Sequence, residues 1–220
     1  LFTTGTTGQK KGVVLTHYNT FCAATNINTF IGNTAEDREV LPLPLSHSFG
    51  LGRLRCNMLA GGTLILVDGF LKAKQIFQAM EDWNATGFCF VPAGLKVLLK
   101  ISRDKLGEYA GQLRYIEIGS SPMPREDKER LMRLLPKTRI CMHYGLTEAS
   151  RSTFIEFHSD KDRLDSIGSP SPNVAVRICD DHDTALPDEQ TGRTHAPAAT
   201  ATKAYSKNPA KPHTTLRDGR

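Results

Sequence analysis

The sequence predicts an α/β fold in which strands and helices alternate around a mostly parallel sheet, followed by a short β-rich segment. Short apolar runs typical of buried parallel strands, such as residues 63–67 and 86–91, alternate with amphipathic stretches such as residues 72–83. Polar, glycine-rich loops follow several of these strands, as expected where a parallel sheet gathers ligand groups at the carboxyl ends of its strands. The 220 residues are enough for one core of ordinary size.

The order of the elements follows from hydrophobic periodicity and capping residues. Helices are predicted over residues 13–31, with Thr16 as N-cap, and over 51–59, 72–83, 92–101 and 124–135. Strands are predicted at residues 39–41, 63–67, 86–91, 113–118 and 138–142, and later at 153–157 and 174–179, with a hairpin turn at 180–183.

Composition divides the chain into an α/β core over residues 1–152, a β-rich segment over 153–192 and a tail over 193–220. Poor order is predicted for residues 196–220, because Tyr205 and Leu216 are the only large apolar side chains there. The formal net charge is +5, and the excess lies entirely in residues 191–220, which carry six basic residues and one acidic residue. The body of the chain is therefore neutral, and no nucleic-acid partner is expected.

The five cysteines are an odd number, form no CxxC pair and mostly lie in apolar runs, so we expect free thiols in a cytoplasmic protein. No apolar run approaches the roughly 20 residues that span a bilayer, so no transmembrane segment is expected. The chain begins at Leu1, immediately before a glycine-rich loop, and we expect it to be a fragment. The oligomeric state stays open.

The opening loop combines glycines, hydroxyls and two lysines, in the order Thr3-Thr4-Gly5-Thr6-Thr7-Gly8-Gln9-Lys10-Lys11-Gly12. Glycine lets the backbone approach a ligand closely, hydroxyls donate to phosphate oxygens, and lysine supplies compensating charge, so the combination suits a polyphosphate. It is not a Walker A loop, because the residue five positions after Gly5 is Lys10 rather than glycine. A generic turn between strands is the alternative.

Two further loops follow predicted strands. A hydroxyl and a carboxylate that could hold a metal–phosphate group occur in Tyr144-Gly145-Leu146-Thr147-Glu148. The alternative is a helix that begins there with Thr147 as its N-cap. Small residues that could accommodate a flat base occur in Gly119-Ser120-Ser121-Pro122, which alone is also a plain turn.

His47 lies in an apolar loop between Leu45 and Phe49, where a structural histidine is the default interpretation. The other histidines show no metal-ligand spacing, and the Gly-x-Ser-x-Gly motif of a nucleophile elbow does not occur.

Taken together, these loops resemble the signatures of the adenylate-forming superfamily, which includes acyl-CoA synthetases, peptide-synthetase adenylation domains and luciferases. The opening loop resembles the phosphate loop of that family, and residues 144–148 match its second signature. Residues 119–122 resemble the loop on the adenine side, and residues 43–50 resemble the segment beside the acyl pocket. The likeness covers residues 1–192.

The resemblance implies a two-step reaction in which a small carboxylic acid reacts with ATP to give an acyl-adenylate, and CoA then displaces AMP. Mg²⁺ accompanies the ATP. A fatty or related acyl acid is favoured, because residues 42–52 contain no aspartate for an amino group.

The resemblance also implies roles for individual residues. The residues that would wrap the β- and γ-phosphates are Thr3, Thr4, Gly5, Thr6, Thr7, Gly8 and Lys11. Thr147 would donate to the α-phosphate, and Glu148 would hold Mg²⁺. The residues that would lie around the adenine are Ser120, Ser121, Pro122, Tyr144 and Gly145. His47 would lie at the acyl tunnel or near the α-phosphate.

The sequence departs from the family pattern at Lys10, where proline is usual, at Ser120-Ser121, which replaces a Gly-Ala type pair, and at Arg193. Two further parts of the family pattern are expected to be missing from this sequence. One is the aspartate motif that would hold the ribose, and the other is the mobile C-terminal lid domain. The isolated chain is therefore expected not to turn over. The alternatives are an inactive remnant, a nucleotide-binding module, or another adenylate-forming protein of the peptide-synthetase or luciferase type.

Overall fold

A seven-stranded sheet lies at the centre of the chain in this computed structural model, which describes residues 1–3, 11–202 and 204–206. The strands are β1 Phe2–Thr3, β2 Lys11–Val14, β3 Arg38–Leu41, β4 Thr63–Leu66, β5 Gly87–Phe90, β6 Tyr115–Ile118, β7 Arg139–Tyr144, β8 Thr153–Glu156, β9 Ser169–Pro170, β10 Arg177–Cys179, β11 Arg193–His195 and β12 Ala204–Ser206. The helices are α1 His17–Ile31, α2 Ser48–Ala60, α3 Ala73–Asp82, α4 Pro92–Ser102 and α5 Arg125–Leu134, with 3₁₀ turns at Lys105–Tyr109 and Lys161–Arg163.

The strand order in the central sheet is β4-β3-β5-β6-β7-β8-β9. The pairs from β4 to β7 are parallel, and β8 and β9 then continue the sheet antiparallel. All residues of β5 and of β6 are buried, which explains why these strands are apolar at nearly every position instead of alternating. The predicted α/β class with a mostly parallel sheet is confirmed.

Helices cover both faces of the sheet, so alternate strand residues enter two different cores. On one face, Ile116 and Ile118 of β6 join a large cluster with the apolar sides of α3, α4 and α5. On the other face, Tyr115 packs with Ile27 of α1 and Cys56 of α2.

Helix α2 begins earlier than the sequence predicts, at Ser48 instead of residue 51. His47 is its N-cap residue with an extended backbone, and its side chain makes no capping hydrogen bond. The first turn approaches the preceding loop closely, since a Cβ on Gly50 would overlap the carbonyl of Pro44. Glycine is required at that position by a contact between the helix and the preceding loop, which helical periodicity does not reveal.

Poor order from residue 196 stays a prediction, but part of this tail pairs with the body of the chain. Strand β12 pairs antiparallel with β2, Tyr205 opposite Val13, and both residues are buried. Strand β11 likewise pairs with β10, so the expected division at residue 193 falls at the start of a paired strand. The ordering comes from partners almost 200 residues away in sequence, a contribution that local composition cannot report. Residues 207–220 lie outside the described residues.

All five cysteines are free, as predicted, and four of them are buried. Burial raises the pKa of Cys56 to about 11 and that of Cys141 to about 12, which keeps both thiols protonated. Among the helices that the structure describes, none has the length and apolar character to cross a bilayer.

A fully buried ion network joins the sheet to α2. Arg53 of α2 contacts Glu39 of β3, and its other terminal nitrogen lies 3.2 Å from a carboxylate oxygen of Glu117 on β6. The hydroxyl of Tyr115 donates to Glu39 and accepts from Arg53. Arg53 therefore neutralises carboxylates on two strands that lie two positions apart in the sheet.

We expect Arg53→Ala to lower the free energy of unfolding by about 3–5 kcal/mol, because buried Glu39 loses its counter-charge and Glu117 loses one of its two arginine partners. Urea denaturation of wild type and variant at neutral pH measures this loss. Arg130→Ala is the matched control, since Arg130 makes an exposed ion pair with Asp104, which we expect to contribute at most about 1 kcal/mol. Equal losses in the two variants would contradict the role given to Arg53.

Candidate functional site

Two adjoining cavities lie where the parallel strands end. The larger one, hereafter the large cavity, measures about 660 Å³ and is bordered by the loops after β3, β4, β5, β6 and β7. The second one, hereafter the side cavity, measures about 380 Å³ and is bordered by the loops after β6 and β7 and by residues 165–167. Grouping of loops at this edge follows from the parallel topology, which places all carboxyl ends on one side.

The polarity of the residues that line the large cavity changes along the sheet edge. Thr147 and Glu148, hereafter the polar end, follow β7, whereas His47 follows β3 and Thr3 lies on β1. Its remaining wall includes the apolar side chains Leu43, Phe49, Phe70 and Val91. The cavity can therefore hold a molecule with one strongly polar end and an apolar remainder.

The side cavity brings together the small-residue loop and the tyrosine of the second signature. Ser120, Ser121 and Pro122 line it, and so do Tyr144 and Gly145. Ser120 has a φ of 78°, in the left-handed region that is uncommon for residues other than glycine. Backbone strain of this kind persists where surrounding structure fixes it, and it concentrates at ligand-binding sites.

Residues 145–152 form a compact non-helical loop after β7, so the alternative in which Thr147 caps a helix is wrong. The Leu146 amide donates to the Ala149 carbonyl at 2.9 Å, which closes a tight turn around Thr147 and Glu148. Gly145 lies so close to the backbone of Arg151 that a Cβ would come within 2.5 Å of its amide nitrogen. The backbone of Glu148 is also fixed, because the Thr202 amide donates to its carbonyl at 2.7 Å.

Tyr205 of β12 connects Glu148 with Lys11. Its hydroxyl donates to a carboxylate oxygen of Glu148 at 2.9 Å, and the Lys11 ammonium lies 5.6 Å from the centre of its ring. Lys11 itself is on β2 and is not among the described residues that line the two cavities. The predicted phosphate-loop residues Thr4, Gly5, Thr6, Thr7 and Gly8 lie outside the described residues.

Sequence reasoning missed two residues in the cavity walls, His143 and Arg151. His143 of β7 lines both cavities, with its Nδ1 atom 2.7 Å from Glu117 and its ring edge-on to Phe49 at 4.7 Å. Arg151 donates from Nε to Glu117 at 3.1 Å and from a terminal nitrogen to the Phe49 carbonyl at 3.4 Å. Neither belongs to a motif, and their common partner Glu117 lies in a strand that otherwise appears wholly apolar.

The charges below the cavities compensate one another. Burial by itself would raise the pKa of Glu117, but Arg151 and Arg53, together with His143, outweigh it and hold that pKa far below the usual range. Burial, followed by the repulsion of Arg151, lowers the pKa of His143. At neutral pH the network therefore contains two carboxylates, two guanidinium groups and a neutral imidazole, and its net charge is zero.

Glu148 is the candidate metal ligand. The part of the chain that the structure describes contains no group of three or more His, Cys, Asp or Glu side chains able to hold a metal ion. One carboxylate at the polar end of a cavity fits Mg²⁺, which keeps several waters and binds through one or two carboxylates plus phosphate oxygens. A zinc-type site with several protein ligands does not fit these residues.

We expect the stability of the protein to fall on acidification. Because His143 and Glu117 have lower pKa values when folded than the ordinary 6.5 and 4.5, the unfolded chain binds more protons below those values. Stability is therefore lost below pH 6.5 and again below pH 4.5. In His143→Gln we expect the loss of stability below pH 6.5 to disappear, and thermal denaturation at a series of pH values measures this. His17→Gln, which changes an exposed histidine, is the control and should keep that loss. An unchanged pH profile in His143→Gln would refute the assignment.

Comparison with known proteins gives a consistent family. The model of the family described as AMP-binding enzyme matches residues 1–205, and the chain therefore belongs to that family. A 4-coumarate–CoA ligase-like protein of Arabidopsis thaliana is 28% identical over 219 residues, which cover 95% of this chain and 38% of that protein. The acyl-CoA ligase SID4 of Ajellomyces capsulatus is 34% identical over 185 residues, which cover 80% of this chain and 30% of that protein.

Among solved structures, o-succinylbenzoate CoA synthetase from Bacillus subtilis, determined with ATP and a magnesium ion, superposes with a TM-score of 0.86 at 24% identity. The match covers 100% of this chain and 45% of the synthetase. At this identity the likeness concerns the fold. The chain thus spans less than half the length of each of these three relatives.

Proposed function

We propose that the protein activates a carboxylic acid with ATP and transfers the acyl group to CoA. The observation that supports this most is the meeting of two cavities at Gly145 and Leu146, one partly apolar and one bordered by small residues and an aromatic ring. An acyl-adenylate has this two-part form, with an acyl group on one side of a phosphate and a nucleoside on the other. Membership of the AMP-binding enzyme family supports the same reaction.

The adenine would occupy the side cavity. Ser120, Ser121 and Pro122 offer a flat wall with little side-chain bulk, and Tyr144, which is partly exposed, supplies an aromatic ring for the opposite wall. Gly145 lines both cavities, and the ribose and α-phosphate would lie beside it.

The phosphates would lie between Thr147 and the opening loop. Thr147 would donate a hydrogen bond from its hydroxyl to the α-phosphate, while Thr3 through Gly8 and Lys11 would surround the β- and γ-phosphates. Glu148, oriented by Tyr205, would hold Mg²⁺, which would neutralise part of the phosphate charge. The contribution of these side chains is positioning and charge compensation, because the bond changes occur within the substrates.

In the first step a carboxylate oxygen attacks the α-phosphorus, a P–O bond forms, and pyrophosphate leaves. In the second step the sulfur of CoA attacks the acyl carbon, AMP leaves with the C–O bonding electrons, and the thiol proton passes to solvent. His47 borders the large cavity, where it would contact the carboxyl group of the acid.

The acid is one with an uncharged acyl group, of the fatty or related type. Leu43, Phe70 and Val91 line the large cavity, and the ion network beneath it has no net charge to offer a second carboxylate. The names of two relatives, acyl-CoA ligase and 4-coumarate–CoA ligase-like protein, support the proposal of an apolar acid. We propose a cytoplasmic enzyme, in keeping with its free thiols.

For the 220 residues alone, nucleotide binding without turnover is the second candidate. This candidate is favoured because the 220 residues match only 38% of the length of the Arabidopsis relative. Calorimetric titration of this chain with MgATP tests it directly, and no detectable heat of binding would exclude it.

We expect the full-length protein to catalyse acid-dependent exchange of pyrophosphate into ATP. Glu148→Gln should lower the exchange rate on the order of 10²–10³-fold, because a charge-compensating group at the phosphates is lost. Glu108→Gln, which changes an exposed glutamate far along the chain, is the control and should leave the rate unchanged. Exchange that needs no acid, or that is equally fast in Glu148→Gln, would contradict the proposal.

We also expect Tyr205→Phe to raise the Mg²⁺ concentration required for half-maximal exchange by about 10–100-fold, because the ring remains while the hydrogen bond that orients Glu148 is lost. The measurement is a Mg²⁺ titration at saturating ATP and acid. Tyr18→Phe alters an exposed tyrosine on α1 and should not change the titration. An unaltered Mg²⁺ requirement in Tyr205→Phe would show that Glu148 needs no such orientation.

A further inference from the structure

Phe70 borders the large cavity from the loop after β4, the first strand of the order β4-β3-β5-β6-β7, whereas Thr147 and Glu148 border it from the loop after β7. Neighbouring strands are about 4.8 Å apart, so these two loops are separated by about 19 Å along the edge of the sheet. Both border the same cavity.

The ring of Phe70 rests directly on the backbone of α4. A Cβ on Gly94 would come within 2.6–2.7 Å of three atoms of that ring, which is closer than van der Waals contact permits. Phe70 is half-buried and also packs against both the large core and the cluster around Leu41 and Leu43. The ring is thus held between α4 on one side and the cavity on the other.

The turn before Phe70 fixes where the ring emerges. Gly69 has a φ of 73°, and its amide donates to the Val67 carbonyl at 3.0 Å, so the chain reverses sharply after β4. The next residue, Leu71, points away and is 81% exposed. Of these two consecutive large apolar residues, Phe70 is therefore the one that lines the cavity.

We propose that Phe70, seated on Gly94, closes the far end of the large cavity and so limits the length of the acyl group that the site accepts. This inference rests on the proposed function and names a determinant of its acid specificity. An apolar acyl chain that starts at the polar end would run across the sheet edge past Leu43 and Val91 and end against the ring. The ring position depends on the absence of a side chain at residue 94.

The geometry gives opposite expectations for two substitutions. Phe70→Ala removes the end wall and should favour longer acyl groups, with about fourfold tighter binding for each methylene that becomes buried. Gly94→Ala forces the ring away from α4 and into the cavity, so it should favour shorter groups and weaken binding of the acid preferred by wild type at least about tenfold.

The double variant separates this mechanism from general damage to the fold. Once Phe70 is alanine, the methyl group at residue 94 has no ring to displace, so Phe70→Ala with Gly94→Ala should show the same length preference as Phe70→Ala alone. Leu71→Ala is the matched control and should keep the wild-type preference. Phe70→Leu, which retains more packing, should shift the preference in the same direction as Phe70→Ala but less far.

The experiment measures dissociation constants by calorimetry on the full-length protein with a series of acyl-sulfamoyl adenosines, from the acetyl to the palmitoyl compound. Opposite shifts in Phe70→Ala and Gly94→Ala, with the double variant matching the former, support the inference. If the analogues bind and all variants share the wild-type length preference, the inference is wrong while the proposed function stands. If no analogue binds wild type, the proposed function fails and this inference fails with it.

Discussion

The candidate site depends on the neutralisation of two carboxylates that are buried inside the sheet. Glu39 and Glu117 lie on β3 and β6, where water cannot solvate them, and Arg53 from α2 and Arg151 from the loop after β7 supply the opposite charge. The two arginines must remain in place because an unpaired carboxylate in this position costs several kcal/mol. One electrostatic requirement therefore fixes a helix and a loop against the sheet at the same time.

This constraint determines the form of both cavities. Arg151 holds the end of the 145–152 loop down on Glu117 and on the carbonyl of Phe49, so Thr147 and Glu148 are presented above it at the polar end of the large cavity. His143, held beside the same carboxylate, forms the wall that the two cavities share. A neutral, rigid floor suits an uncharged acyl group on one side and a nucleoside on the other.

Much of the fold and part of the site followed from the sequence, because local signals set them. Apolar runs marked the positions of the strands, and the loops after β6 and β7 were recognisable from residue types that suit nucleotide binding. The run at residues 63–67 was predicted to be buried, which is wrong, because β4 is an edge strand and none of its residues is buried. What could not be predicted depends on contacts between distant residues. Tyr205 orders the tail and orients Glu148 by pairing with β2, and Arg151 acquires its role only from Glu117. Gly94 likewise appears as an unremarkable helix residue until Phe70 is placed on it.

The most direct test of the proposed site is a crystal structure of the full-length protein with a non-hydrolysable acyl-adenylate analogue. We expect the adenine in the side cavity between Pro122 and Tyr144, the phosphate substitute beside Thr147, and the acyl chain in the large cavity directed toward Phe70. An adenine bound in the large cavity, or an acyl chain that leaves the site without approaching Phe70, would contradict it.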